Sequence, residues 1–253
     1  TVKGFFALIL ALEVFIIGVF TANDLFLFYV FFEAMLFPIY FLIGRFGGPQ
    51  RAYAAMKFLL YSLVGGLFML AALIGLYVVS SRELGQGTFD YVTLTSLNID
   101  PATQKMLFLG FFFAFAVKAP MVPFHTWLPD ATAEATPGTS TLLVGVLDKV
   151  GTFGMLHFLL PIFPEASKFY APVIIVLAVI SIFYGALLAI GQTDVMRLVA
   201  FTSISHFGFI VLGIFVMTGH AFRLGLIHMT RVGEGDGGHF PGLRLQHNRL
   251  FRS

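Results

Sequence analysis

The run from Met106 to Pro123 reads MLFLGFFFAFAVKAPMVP. It is apolar from end to end except at Lys118. A buried helix of a soluble core carries apolar stretches of about 10–14 residues, whereas a bilayer crossing needs about 20, and this run comes close to the second length. It therefore reads as a membrane helix with an ammonium group set deep inside it. Pro120 and Pro123 follow that lysine at once, and proline removes a backbone donor and clashes with the preceding turn, so the helix should break there. At membrane depth, unpaired backbone is tolerated only against protein or a water-filled cavity. Phe124-His125-Thr126-Trp127-Leu128-Pro129-Asp130 then resumes with the polar and aromatic character of a second half-helix or an interfacial loop. A discontinuous helix with a lysine at its break is a device for ion sites in transporters. The plainer alternative is an ordinary helix end with a proline stop.

The same character runs along most of the chain. Of 253 residues, 58% are hydrophobic and 11% charged, with a mean hydropathy of +0.91, which is more apolar surface than a soluble domain of this size can hide. Phe occurs 32 times and is read as lipid-facing and core packing. Seven stretches are long enough, or nearly so, to cross: Gly4 to Ala22, Leu25 to Ile43, Ala54 to Val79, Met106 to Val122, Thr139 to Leu160, Ala171 to Ile190 and Val199 to Met217. Short breaks such as Thr21-Ala22-Asn23-Asp24 and Gly191-Gln192-Thr193-Asp194 make neighbours antiparallel. The expected fold class is all-α: a polytopic transmembrane helix bundle with one proline-broken helix. Odd crossings gather Lys3, Arg45, Arg51 and Arg197 on one face, cytoplasmic by the positive-inside rule, with Arg82, Lys105 and Lys168 on the other.

Several function classes drop out. With Cys 0 there is no thiolate iron–sulfur ligation, Cys-rich zinc site, covalent haem motif or disulfide framework. A net charge of +2 does not suggest nucleic-acid binding, and no Walker or dinucleotide glycine fingerprint is present. The chain starts at Thr1 and is apolar almost at once, so an upstream part is expected to be missing or processed away. Residues 1–218 read as the membrane domain. From 219 to 253 the chain turns Gly-, Arg- and His-rich without any period, and this tail reads as non-native or frameshifted rather than as a lipid-binding or metal-binding segment.

Ionisable groups inside the apolar stretches carry the functional reading, because each costs about 2.5–3.5 kcal/mol at the centre of a spanning helix on insertion scales. Glu33 lies in the middle of Leu25 to Ile43, and Glu13 in the middle of the first stretch. Lys118 stands at the break, Lys149 beside Asp148 in Leu142 to Leu160, and His206 within the last stretch. Bundle packing can bring such groups to one depth, where burial disfavours the charged forms and pairing restores them, so that protons exchange near neutral pH. Proton conduction follows, with a Glu33 and Lys118 ion pair whose loosening passes a proton to Lys149 across water. Each group also has a structural reading. Glu33 with Lys118 could be a buried structural pair. Lys149 could be neutralised by Asp148, His206 could bond Ser203 or Ser205, and Glu13 could be a protonated acid bonded to another helix. Lys57, at a helix start, reads as snorkelling to the cytoplasmic face, and His125 and His157 as lying near the membrane surfaces.

Three segments together resemble a known family: Leu25-Phe26-Leu27-Phe28-Tyr29-Val30-Phe31-Phe32-Glu33-Ala34-Met35-Leu36-Phe37-Pro38, then Lys118-Ala119-Pro120 with Pro123-Phe124-His125-Thr126-Trp127-Leu128-Pro129-Asp130-Ala131, and Ser203-Ile204-Ser205-His206-Phe207-Gly208. They look like the antiporter-like membrane subunits of NADH:quinone oxidoreductase, respiratory complex I. The Glu33 segment and its Gly-Arg-Phe-Gly-Gly loop are most similar to the chain M, or subunit-4, type. Asp148-Lys149-Val150-Gly151-Thr152-Phe153-Gly154 is similar to the actinobacterial form.

The resemblance implies fourteen helices with two inverted five-helix repeats, each holding one broken helix. This chain would match roughly helices four to ten, one whole repeat and the start of the next. It further implies that Glu33 is the family's essential glutamate, Lys118 its paired lysine, Lys149 the central-axis lysine and His206 a histidine further along that axis. The implied role is that of a proton-translocating membrane subunit of an oxidoreductase in the bacterial plasma membrane, with other complex I membrane subunits as partners. NADH, FMN, iron–sulfur clusters and quinone would be bound by partner subunits and none by this chain. Two departures stand out. The family pattern Asp-Ala-His-Ala-Glu-Ala-Pro-Thr appears here as Asp130-Ala131-Thr132-Ala133-Glu134-Ala135-Thr136-Pro137, so no histidine role carries over. After Thr218 the next helices do not follow, so a complete proton channel is not expected from the chain as written. The rival readings are a subunit of a multi-subunit cation/proton antiporter and a non-conducting membrane anchor.

Overall fold

The computed structural model describes residues 2–216, and among them every named element is helical. The chain starts with α1 (Val2–Thr21), turns at Ala22 and Asn23, and enters α2 (Leu25–Ala34), whose first turn is capped by Asp24 accepting from the Leu27 amide at 2.9 Å. A turn at Met35 divides α2 from α3 (Leu36–Phe46), so the second expected crossing is one rod with a joint two residues beyond Glu33. The long α4 (Arg51–Leu84) returns and ends at Gly85, whose φ of 78° is the left-handed stop that favours glycine.

A loop carrying the short α5 (Tyr91–Thr95) then folds back on the α1–α2 turn. Leu25 donates to Phe89 O at 2.9 Å and Tyr91 to Asn23 O at 3.2 Å. Asp90 caps α5 through the Thr93 amide and hydroxyl, which hold its carboxyl below the usual range.

The sequence places a crossing at Met106 to Val122; the helix observed is α6 (Pro101–Lys118), which begins earlier and stops at the lysine. Among the described residues six helices are long and apolar enough to cross a membrane, and α6 is not one of them. Those six are Val2–Thr21, Leu25–Phe46, Arg51–Leu84, Pro137–Ile162, Pro164–Ile190 and Val195–Phe215.

After the break come α7 (Trp127–Glu134) and α8 (Pro137–Leu142). The next crossing is not uniform. Two π-helical turns, Leu143–Leu147 and Met155–Leu159, flank α9 (Asp148–Gly154), and α10 (Leu160–Ile162) completes the rod. The long α11 (Pro164–Ile190) and α12 (Val195–Phe215) pair closely, Gly185 lying against the Ser205 amide and Gly208 against Ala178 O.

Large apolar side chains such as Phe6, Leu10, Phe37, Phe183 and Ile190 cover the outside of the bundle, as expected when the solvent is lipid. The 219–253 tail lies outside the described residues.

Candidate functional site

Lys118 is the last residue of α6 and is 1% exposed. Pro120 and Pro123 end the helix as expected, and the stretch beyond, with a cis Val122–Pro123 bond, is tied down on three sides. The Val122 amide donates to Ser181 Oγ on α11 at 2.9 Å, Trp127 Nε1 donates to Val117 O at 2.8 Å, and Thr126 Oγ1 donates to Tyr61 of α4 at 2.7 Å. Backbone freed at the break is thus met by protein groups, which is the condition for irregular backbone at this depth. The Trp127 bond ties the start of α7 to the end of α6.

The ammonium of Lys118 lies 5.1 Å from the centre of the Phe32 ring and 5.5 Å from that of Phe58. The negative ring faces partly replace water around it. Its Nζ has no hydrogen-bond partner within the protein. The aromatic wall continues through Phe28, Phe115 and Phe158, so part of the Phe content surrounds the lysine rather than facing lipid.

Glu33 is half-buried on α2, and its Oε1 lies against Gly66 of α4, where any Cβ would overlap it. The direct Glu33 and Lys118 ion pair is not made: Glu33 Oε1 and Lys118 Nζ both lack hydrogen-bond partners. Each nevertheless lies within the electrostatic reach of the other.

Lys149 lies half-buried on α9, beside the same region. His206 is half-buried on α12, and the hydroxyl of the preceding Ser205 donates to Ile182 O at 3.0 Å. Glu13 is exposed on the outer face of α1, between the exposed Leu10, Val14 and Ile17. It does not join the central group in this chain. Glu33 and Lys118 are therefore brought near each other, Lys149 follows Asp148 on the adjoining α9, and Glu13 stands apart. His125 is 4% exposed and packs edge-on against Tyr184, its ring centres 4.9 Å away. His157 stacks on Tyr91 at 4.6 Å.

Sequence reasoning missed two features. Asp148 was read only as a neutraliser for Lys149, yet it is 0% exposed and neither carboxylate oxygen has a hydrogen-bond partner. The insertion cost that singled out Glu33 applies to it equally, and the adjacent lysine hid it. The other is Asp130 on α7, which accepts from Lys57 Nζ of α4 at 2.7 Å and from Arg197 of α12 at 3.0 Å. Lys57 thus joins a three-residue charge network instead of snorkelling free. Four residues on, Glu134 accepts the Gln50 amide at 2.8 Å through its side chain and the Gly48 amide at 2.8 Å through its carbonyl. The Gly47-Gly48 pair lets the α3–α4 loop come this close. In the departed motif, Thr132 stands fully buried where the family pattern has histidine.

The transmembrane family described as NADH:quinone oxidoreductase/Mrp antiporter matches residues 22–234. NADH-quinone oxidoreductase subunit M of Mycobacterium tuberculosis is 58% identical over 224 residues, covering 86% of this chain and 40% of that protein. The Escherichia coli subunit M is 44% identical over 230 residues, covering 89% of this chain and 45% of that protein. This chain thus spans less than half the length of these relatives. Among solved structures, respiratory complex I from Thermus thermophilus with bound NADH matches with a TM-score of 0.84 at 37% identity, over 90% of this chain and 48% of the other. The Mrp complex from Dietzia sp. matches with a TM-score of 0.76 at 26% identity, over 91% of this chain and 25% of the other.

Proposed function

This chain belongs to the NADH:quinone oxidoreductase/Mrp antiporter transmembrane family, and on that footing we propose that it is part of a proton-translocating membrane subunit of NADH:quinone oxidoreductase, of the subunit M type. The observation that carries the reading is Lys118 at the helix break: fully buried, faced by two aromatic rings, without a hydrogen-bonding anion, and within electrostatic reach of Glu33. A lysine so placed changes its proton occupancy when a nearby carboxylate moves or takes up a proton. With Glu33 ionised, its charge supports the ammonium. With Glu33 neutral or turned away, the ammonium loses that support and hands its proton onward, to Lys149 and then along the bundle toward His206.

NADH oxidation and quinone reduction belong to partner subunits, which drive these charge changes from outside this chain. The partners are other membrane subunits of the complex, and the setting is the bacterial plasma membrane. Greater identity to subunit M proteins than to the Mrp complex supports this reading over a cation/proton antiporter.

The test is a native gel of gently solubilised membranes, stained for NADH oxidation, with peptides in each band identified by mass spectrometry. Peptides from the 1–217 region should appear in the NADH-oxidising band. Finding them only in an inactive complex whose transport depends on sodium would replace the proposal with the antiporter reading.

A further inference from the structure

We propose that Asp148 is a proton-carrying group standing between Lys118 and Lys149, a second carboxylate for the lysine at the break. The inference rests on the proton-translocating reading above and adds a residue and a step to it. Asp148 opens α9 directly after the π-helical turn Leu143–Leu147, its amide donating to Leu143 O, five residues back. A π turn displaces everything beyond it relative to a plain α-helix, and such turns often occur at functional positions.

Residues three apart share a helix face, so Gly151 reports what the Asp148 face meets. The Cβ position of Gly151 lies 2.6 Å from both Phe115 O and Ala119 N, on either side of Lys118. The face that carries Asp148 is therefore pressed against the broken end of α6. Lys149 follows about 100° further around the helix. The charged groups that act on Asp148 are Lys118 and Lys149, and Lys118 in turn feels both Asp148 and Glu33.

A buried carboxyl whose two oxygens are both without partners is a costly feature in any fold. A purely structural aspartate would be expected to cap a helix or bond an ammonium directly, as Asp24 and Asp130 do here. Asp148 does neither. The step it performs is a plain proton transfer. An N–H bond of the Lys118 ammonium breaks and an O–H bond forms on the Asp148 carboxylate, neutralising both. That O–H bond then breaks as an N–H bond forms on the neutral amine of Lys149. Where the groups do not touch, the proton crosses by a side-chain rotation or over an intervening water.

The test uses the full-length protein in its assembled complex, in closed membrane vesicles. Acidification is measured per NADH oxidised for wild type, Asp148→Asn, Asp148→Glu and Glu33→Gln. The expected result is at least a tenfold loss of acidification in Asp148→Asn and substantial retention in Asp148→Glu, with Glu33→Gln also inactive. Infrared difference spectra between acid and alkaline pH should show a carboxyl band that Asp148→Asn removes and Asp148→Glu shifts. If Asp148→Asn does not assemble, the shifted band in Asp148→Glu decides alone. Normal acidification in Asp148→Asn, or an infrared spectrum that Asp148→Glu leaves unchanged, overturns the role of Asp148. If Glu33→Gln also pumps normally, the proton-translocating reading itself fails.

Discussion

At the scale of single residues, two glycines make opposite predictions. A Cβ at Gly66 would overlap Glu33 Oε1, the far end of a flexible side chain, so Gly66→Ala should leave the fold intact and push the Glu33 carboxylate from its place. Displacement by about 1 Å at a transfer site costs up to ~10²-fold, so acidification should fall roughly tenfold or more in a complex that still assembles. A Cβ at Gly151 meets rigid backbone at Phe115 O and Ala119 N, so Gly151→Ala should lower stability by about 1–3 kcal/mol, seen as earlier thermal dissociation of the complex. Glu33 and Lys118 were legible in the sequence because each stands alone in an apolar run. Asp148 was not, since a charge beside an opposite charge reads as self-neutralising, and only packing shows its carboxyl fully buried without a hydrogen-bond partner. The absence of a direct Glu33 and Lys118 bond was equally illegible, because it depends on where the Phe32 and Phe58 rings lie and sequence spacing does not give that.

At the scale of elements, the Lys57, Asp130 and Arg197 network fastens three helices, α4, α7 and α12, at one end of the bundle. Asp130 is about one-fifth exposed, so solvent screens the pairs only in part. Asp130→Asn keeps the shape and removes the anion, and it should lower the stability of the assembled protein by about 1–3 kcal/mol, measured as a fall in the temperature of half-dissociation. No change would mean that the half-helix is held by Trp127 and the Glu134 loop contacts alone. Two prolines and a lysine in the run 118–123 were enough to predict the break itself. The two π turns around α9 were not predictable, because neither residue type nor hydrophobic period marks a five-residue turn within an apolar helix. The joint at Met35 was hidden for the same reason, as Pro38 lies in the first turn of α3 and signals its start only after the helix is known.

At the scale of the whole molecule, a lipid-facing shell surrounds Glu33, Lys118, Asp148 and Lys149 on α2, α6 and α9, and the proposal is that these four groups act as one line. Composition alone indicates the shell. The line needs the bundle, because Glu33, Lys118 and the Asp148-Lys149 pair are far apart in sequence and only the packing of α2, α6 and α9 brings them near one another. Glu13 stands outside the line, exposed on the outer face of α1. The central claim is that this line moves protons. The most direct measurement compares Glu33→Gln and Lys118→Ala with wild type in the full-length protein. It records acidification of closed vesicles on adding NADH, alongside NADH oxidation by an artificial electron acceptor as the control for assembly. The account predicts a loss of roughly 10²-fold or more in the proton-transfer step, and so near-complete loss of acidification, with the control activity retained. Undiminished acidification in either variant would contradict it.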